Sequence, residues 1–144
     1  MNSIESFTGD YGFLSNFYPS KIVLAGMVYP TVENAYQACK TKNKDDHEKI
    51  AMMTAGQAKR YGQKVTLVPG WEENKVLVMS FLLDKKFFTP AMKTLLLATG
   101  DATLIEGNDW HDNYWGACSC DKCADKRKLN VLGNLLMKVR KQIS

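Results

Sequence analysis

The sequence predicts an α+β fold: a mainly helical single domain over residues 1–144, carrying a small antiparallel sheet. Three observations lead there. Apolar residues recur at three- and four-residue spacing in several segments, capping residues bracket those segments, and two short β-prone runs flank a two-residue turn near the N-terminus.

Taken in order, residues 4–8 alternate weakly between apolar and polar and predict a strand, followed by Gly9-Asp-Tyr-Gly12 as a turn. Residues 21–24 and 27–29, joined through Ala25-Gly26, predict a β-hairpin. Pro30 ends the second strand. Thr31 then offers a hydroxyl to cap a helix over 32–41, with Ala35, Ala38 and Cys39 on one face. Helices follow over 45–53 and 55–61, the second stopped by Gly62 in the left-handed C′ position. The longest periodic segment, 71–86, has Val76, Val78, Met79, Leu82 and Leu83 as its apolar stripe. Thr89-Pro90 opens the next helix, with proline at the first helical position, and Gly100 closes it. Residues 104–106 predict a strand. A final amphipathic helix over 129–142 buries Val131, Leu132, Leu135, Leu136 and Val139.

Composition sets the class. At 144 residues, 45% apolar and 24% charged, the chain has the make-up of an ordinary globular domain able to bury its own core. Its apolar stretches, such as 76–83, fall short of the roughly 20 residues a membrane helix needs. Residues 1–5 have neither the basic nor the apolar region of a signal peptide, so the expected location is the cytoplasm, with no membrane partner. The net charge of +4 is concentrated in two runs, 40–44 and 122–128. Each run reads either as a solvated face or as a surface for phosphate, on a nucleotide or a nucleic acid.

Three of the four cysteines lie in Cys118-Ser-Cys-Asp-Lys-Cys123. In a reducing compartment they are free thiols or metal ligands. Structural zinc sites more often present two separated Cys-x-x-Cys pairs. Reduced thiols are therefore the simpler reading, with no cofactor. The alternative is a structural zinc held by Cys118, Cys120 and Cys123, with Cys39, His111 or water as fourth ligand.

Chemistry concentrates in segments that do not read as core. Phe13-Leu-Ser-Asn-Phe-Tyr-Pro19 is either a hydrophobic plug or a loop that stacks a base on Phe17 while Asn16 hydrogen-bonds its edge. Glu33 falls in the first turn of its helix, where the helix dipole favours the carboxylate. It either answers that dipole or orients water against a developing positive charge. Gly107-Asn-Asp-Trp-His-Asp-Asn-Tyr-Trp-Gly116 packs aromatics, acids and amides between glycines without helical or strand period, the composition of a ligand pocket. Asp112 supplies a second carboxylate there, and His111 is either a general acid or a solvent-facing neighbour. Cleavage of an N-glycosidic bond passes through an oxocarbenium-like state that a carboxylate stabilises, while the leaving nitrogen takes up a proton. Lys59 and Arg60 end a short helix, as dipole partners or as a phosphate clamp.

The ordered set of these segments resembles the NADAR (YbiA-like) family. It comprises 13–19, Tyr29-Pro-Thr-Val-Glu-Asn-Ala-Tyr-Gln-Ala38, Ala58-Lys-Arg-Tyr-Gly62, Leu95-Leu-Leu-Ala-Thr-Gly-Asp101, 104–110, Asn113-Tyr-Trp-Gly116 and the ending 130–140. The resemblance spans nearly the whole chain. It implies an N-glycosidase, a hydrolase acting on the ribose C1–N bond of a small phosphorylated ribosyl metabolite such as an early riboflavin-biosynthesis intermediate. Removal of ADP-ribose from guanine in nucleic acid is one alternative that it carries. A non-catalytic module for ADP-ribose or NAD is the other. It also implies Glu33 as the catalytic acidic residue, with Trp110, Asp112, Trp115 and Gly116 on one wall of the pocket, Asn16 and Phe17 on another, and Lys59 or Arg60 toward phosphate. The chemistry needs no metal. The cysteine loop stands where many members of the family carry a short glycine-rich segment, and Asn34 stands where a histidine is common.

Overall fold

The computed structural model describes residues 2–144. In chain order it runs β1 (Ser3–Ile4), a 3-10 turn (Gly9–Leu14), β2 (Ile22–Leu24), β3 (Met27–Tyr29), α1 (Val32–Cys39), α2 (Lys44–Ala51), α3 (Ala55–Tyr61) and α4 (Trp71–Phe88). It continues with α5 (Pro90–Leu97), β4 (Thr103–Leu104), β5 (Gly107–Asn108), β6 (Ala117–Cys118), a 3-10 turn (Asp121–Cys123) and α6 (Val131–Ile143). The class is α+β as predicted, and the chain divides into two compact units, Asn16–Phe88 and the pair of segments Met1–Ser15 with Thr89–Ser144.

The unit 16–88 is built around α1, which packs against α2, α3 and α4. Its helix starts follow the capping rules. The Thr31 hydroxyl accepts the Asn34 N–H at 3.1 Å, Asn43 caps α2, and Thr54 with Gln57 forms a reciprocal capping box on α3. The β2–β3 hairpin is antiparallel, pairing Ile22 with Tyr29 and Leu24 with Met27 across Ala25-Gly26. Both turn residues have positive φ, 49° and 81°, the twist a two-residue hairpin needs. Along α4 the buried stripe is Trp71, Met79, Leu82, Leu83, Lys86 and Phe87. The expected Val76 and Val78 are only half-buried, because the buried face is set toward the C-terminal half of the helix.

Gly62 departs from expectation. Its φ is −62°, so it is no left-handed stop. A Cβ there would lie 1.8 Å from Gln37 Oε1, and the glycine is required by the close approach of the Gln37 side chain to the end of α3.

The second unit is held by short parallel pairs that the sequence did not signal. β1 pairs with β4 and β5 with β6. β1 is only two residues long, and the remainder of the predicted 4–8 strand is the loop that leads into the 3-10 turn at Gly9. Asn130, at φ 47°, directs its amide to Leu104 O and Glu106 N, so it is not free to cap α6. The first N–H groups of α6 are satisfied instead by the loop: Val131 donates to Tyr114 O at 3.0 Å and Leu132 to Trp115 O at 2.9 Å. Leu132, Leu136 and Val139 are buried as expected, while Val131 and Leu135 are half-buried. No helix among the described residues is long and apolar enough to cross a membrane.

Candidate active site

Helix α1 buries polar groups on the face that should be cheapest to fill with apolar ones. Glu33, Asn34 and Gln37 are all buried, with relative exposures of 8%, 0% and 4%. Asn34 is fully employed. Its Oδ1 accepts the Thr31 hydroxyl at 2.6 Å, and its Nδ2 donates to Ile50 O and Met53 O, both at 2.9 Å, tying the end of α2 to α1. Its place in the chain, beside Glu33, is therefore accounted for by packing.

Glu33 and Gln37 form a pair across one helical turn, Gln37 Nε2 donating to Glu33 Oε2 at 2.6 Å. The Glu33 N–H donates to Asn16 O at 3.0 Å, which brings the 16–19 loop against the start of α1. Asn16 Oδ1 and Gln37 Oε1 are buried acceptors with no hydrogen-bond partner in the structure. Buried acceptors are nearly always paired, so these two oxygens are open to a hydrogen bond from water or from a ligand. Phe17, on the same loop, is 44% exposed. Lys59 Nζ sits 6.0 Å from its ring centre, and Phe17 and Arg60 both lie about 4 Å from where a Cβ on Gly56 would stand. Asn16, Phe17, Glu33, Lys59 and Arg60 therefore occupy one unit, on and beside α1 and α3.

Electrostatics around α1 are governed by burial. Desolvation lowers Lys40 below the usual lysine range, opposed by the Glu33 carboxylate and reinforced by Lys75. Desolvation also pushes Cys39 up to about 11, so this thiol is inert. Lys86, 1% exposed on α4, is brought down to about 7 by burial, its ammonium 5.7 Å from the Tyr18 ring centre. Neither Lys86 nor Gln37 was foreseen. Gln37 could have been found from its four-residue spacing to Glu33, and Lys86 from its place among the apolar residues of α4.

In the other unit the 107–116 loop has neither helix nor strand between β5 and β6, as its sequence implies. Side chains hold it. Asn108 Oδ1 accepts from Trp110 N and Asp112 N, while its Nδ2 donates to Asp112 O at 2.8 Å. Asp112 Oδ1 accepts from Tyr114 N at 3.1 Å and Trp115 N at 2.9 Å, an Asx turn, so one oxygen of this carboxylate shapes the loop. Tyr114 and Trp115 meet edge to face, with ring centres 5.1 Å apart. Gly116 is fixed by space: a Cβ would lie 2.1 Å from Glu106 O. Trp110, 55% exposed, lines an open cleft of about 600 Å³ together with Glu5, Asp109, Ser119 and Lys128.

His111, exposed and at φ 71°, turns its ring toward the three loop cysteines. Its Nδ1 lies 3.3 Å from Cys120 Sγ, 3.4 Å from Cys123 Sγ and 4.0 Å from Cys118 Sγ. Of the three alternatives for a fourth member of this cluster, the geometry brings in His111; Cys39 is on α1, in the other unit. Burial alone would raise the Cys118 thiol, but hydrogen bonds from Cys120, from the His111 backbone and from Cys123 bring it to about 6.

The NADAR domain model matches residues 5–144. The chain belongs to the NADAR family. It is 37% identical over 140 residues to a protein of Nostoc punctiforme named as an N-glycosidase, covering 92% of this chain and 86% of that one. It is 37% identical over 143 residues to the N-glycosidase YbiA of Escherichia coli, covering 96% of this chain and 86% of that one. The solved NMR structure of E. coli YbiA superposes with a TM-score of 0.81 at 34% identity, over 99% of this chain and 86% of that one. A riboflavin biosynthesis protein of Vibrio vulnificus is 35% identical over 139 residues. This chain spans 36% of its length.

Proposed function

We propose that this chain is an N-glycosidase that hydrolyses the ribose C1–N bond of a small phosphorylated ribosyl metabolite, of the class formed early in riboflavin biosynthesis. The observation that carries this reading is Glu33: a buried carboxylate, fixed by Gln37 Nε2 and flanked by the orphaned acceptors of Asn16 and Gln37. The names of the relatives support the reaction class, N-glycosidase in two of them and riboflavin biosynthesis in a third.

In the reaction, water adds to ribose C1 as the C1–N bond breaks. The bonding pair leaves with nitrogen, which takes up a proton. Positive charge gathers on C1 and the ring oxygen in the transition state, where a fixed carboxylate is worth more than in water. Glu33 fills that role, because its position in the helix and the bond from Gln37 hold it without reorganisation. The unpaired amide oxygens of Asn16 and Gln37 accept from ribose hydroxyls or from the attacking water. Phe17 offers an exposed ring face for the base, and Lys59 and Arg60 neutralise phosphate. In the other unit, Gly116 allows the aromatic loop its close approach to Glu106.

The test is release of free ribose 5-phosphate or ADP-ribose, followed by mass spectrometry on a panel of riboflavin-pathway intermediates, NAD, ADP-ribose and ADP-ribosylated guanine DNA. One phosphorylated ribosyl intermediate should be cleaved, and Glu33→Gln should lower its turnover by about 10²–10⁴-fold while leaving its binding within a few-fold. Equal turnover in the variant would remove Glu33 from the reaction. Saturable ADP-ribose binding with no product from any substrate would replace the enzyme by a binding module.

A further inference from the structure

The cysteine loop is not used by the reading above, and its geometry is independent of it. Four ligand atoms, His111 Nδ1 and the sulfurs of Cys118, Cys120 and Cys123, all lie within 4.8 Å of one another. A ring nitrogen has one hydrogen or one lone pair, so Nδ1 can make one hydrogen bond at most. It nevertheless stands at 3.3, 3.4 and 4.0 Å from three sulfurs. Hydrogen bonding accounts for one of these distances and leaves two unexplained. A tetrahedral zinc with ordinary Zn–S and Zn–N lengths spaces its ligands by about 3.6 Å from nitrogen to sulfur and about 3.8 Å between sulfurs. The observed nitrogen–sulfur distances straddle that value.

The backbone is arranged to the same end. The 3-10 turn Asp121–Cys123 brings Cys120 and Cys123 together, with Cys123 N–H donating to Cys120 O at 3.1 Å. Cys118 N–H is held by Asn113 Oδ1 at 2.8 Å, at the end of β6. His111 is left-handed at φ 71°, a region histidine enters more readily than most side chains. Two of the sulfurs, on Cys118 and Cys123, are buried, and none of the cysteines is in a disulfide.

We infer that His111, Cys118, Cys120 and Cys123 form a structural Cys₃His zinc site that pins the aromatic loop to the segment after β6. The soft, closed donor set selects zinc over hard cations, and four protein ligands leave no open position for chemistry at the metal. Because His111 stands between Trp110 and Asp112, the ion fixes the middle of the loop, as Asn108 and Asp112 fix its two ends by hydrogen bonds. The exposure of His111 and Cys120 gives the ion a way in.

The full chain, purified from zinc-replete culture, should carry about one zinc per chain by elemental analysis. Replacing zinc with Co²⁺ should give thiolate-to-cobalt charge transfer and tetrahedral d–d bands. Cys120→Ser and His111→Ala should each weaken metal binding by at least about tenfold, and Cys39→Ser should leave it unchanged. Removal of the ion by a chelator should speed hydrogen exchange at the Tyr114, Trp115 and Cys118 amides by about tenfold or more. Substoichiometric zinc together with no charge-transfer band in the folded wild-type chain would overturn the site. So would iron in place of zinc, or equal metal content in Cys120→Ser. Unchanged exchange after zinc removal would overturn the pinning of the loop. These readouts do not involve turnover, so they stand or fall apart from the glycosidase reading.

Discussion

Helix α1 and the 107–123 loop both present acids and amides in a place where they are unusual, and they hold them by opposite means. On α1 the helix satisfies most of its own backbone groups, and the side chain of Gln37 is turned to the Glu33 carboxylate rather than to the main chain. In the loop the backbone has no ladder of its own. The side chains of Asn108, Asp112 and Asn113 are used to satisfy main-chain groups. A polar residue on a helix is thus available for chemistry in a way that the same residue in a loop is not. The comparison favours Glu33 over Asp112 as the group that meets the substrate. It also explains why the loop gains from a metal, while α1 needs none.

The largest stability effect expected belongs to the helical unit. Lys86 has an ordinary lysine value near 10.5 in the unfolded chain and about 7 when folded, lowered by burial. Below pH 7 both states hold the proton, and the folded state bears the full penalty of a buried ammonium. Between about 7 and 10.5 the unfolded chain keeps a proton that the folded chain has shed, so stability rises with pH across that window. Lys86→Met should remove this slope. It should stabilise the fold by on the order of 3–5 kcal/mol at pH 6 and by far less at pH 10, measured by urea unfolding at both. A slope identical to wild type would mean that the amine stays charged inside the fold.

Gly116→Ala probes the loop. The added Cβ would meet the Glu106 carbonyl at 2.1 Å, and neither backbone segment can yield without breaking the Ala117 N–H bond to Glu106 O. A loss of about 1–3 kcal/mol is expected, with the thermal midpoint as readout. A neutral effect would mean that the loop is looser than its hydrogen bonds imply, and would weaken the contrast with α1.

Much of the helical unit was legible in the sequence because its signals are local. Thr31 marks a helix start by chemistry that acts within one turn, as Thr89-Pro90 does in the other unit, and the Ala25-Gly26 hairpin is set by two adjacent residues. The place of Glu33 in the first turn of α1 was legible for the same reason, since a first-turn acid is a local feature. The parallel pairs β1–β4 and β5–β6 were not, because each joins strands of two residues across a sequence distance that leaves no pattern. Gly62 was misread because a glycine after a helix signals a left-handed cap. Here it answers instead the Gln37 side chain, 25 positions away by numbering. The cysteine spacing suggested three ligands, but His111 as the fourth depends on a backbone turn at φ 71° that no spacing rule encodes.

The smallest effect separates the two possible uses of Asp112. If its weight is in the Asx turn, Asp112→Asn keeps an oxygen that accepts from the Tyr114 and Trp115 amides, and stability should change by less than about 0.5 kcal/mol. Asp112→Ala removes the acceptor, leaves two part-buried N–H groups unpaired and should cost about 1–2 kcal/mol. Turnover then distinguishes structure from chemistry. A carboxylate needed for its charge loses activity in both variants, whereas one needed to hold the loop loses it in the alanine variant and keeps it in the asparagine variant. The second pattern is expected from the hydrogen bonds that Asp112 makes. Loss in Asp112→Asn at unchanged stability would make this residue an acid that the reaction needs for its charge.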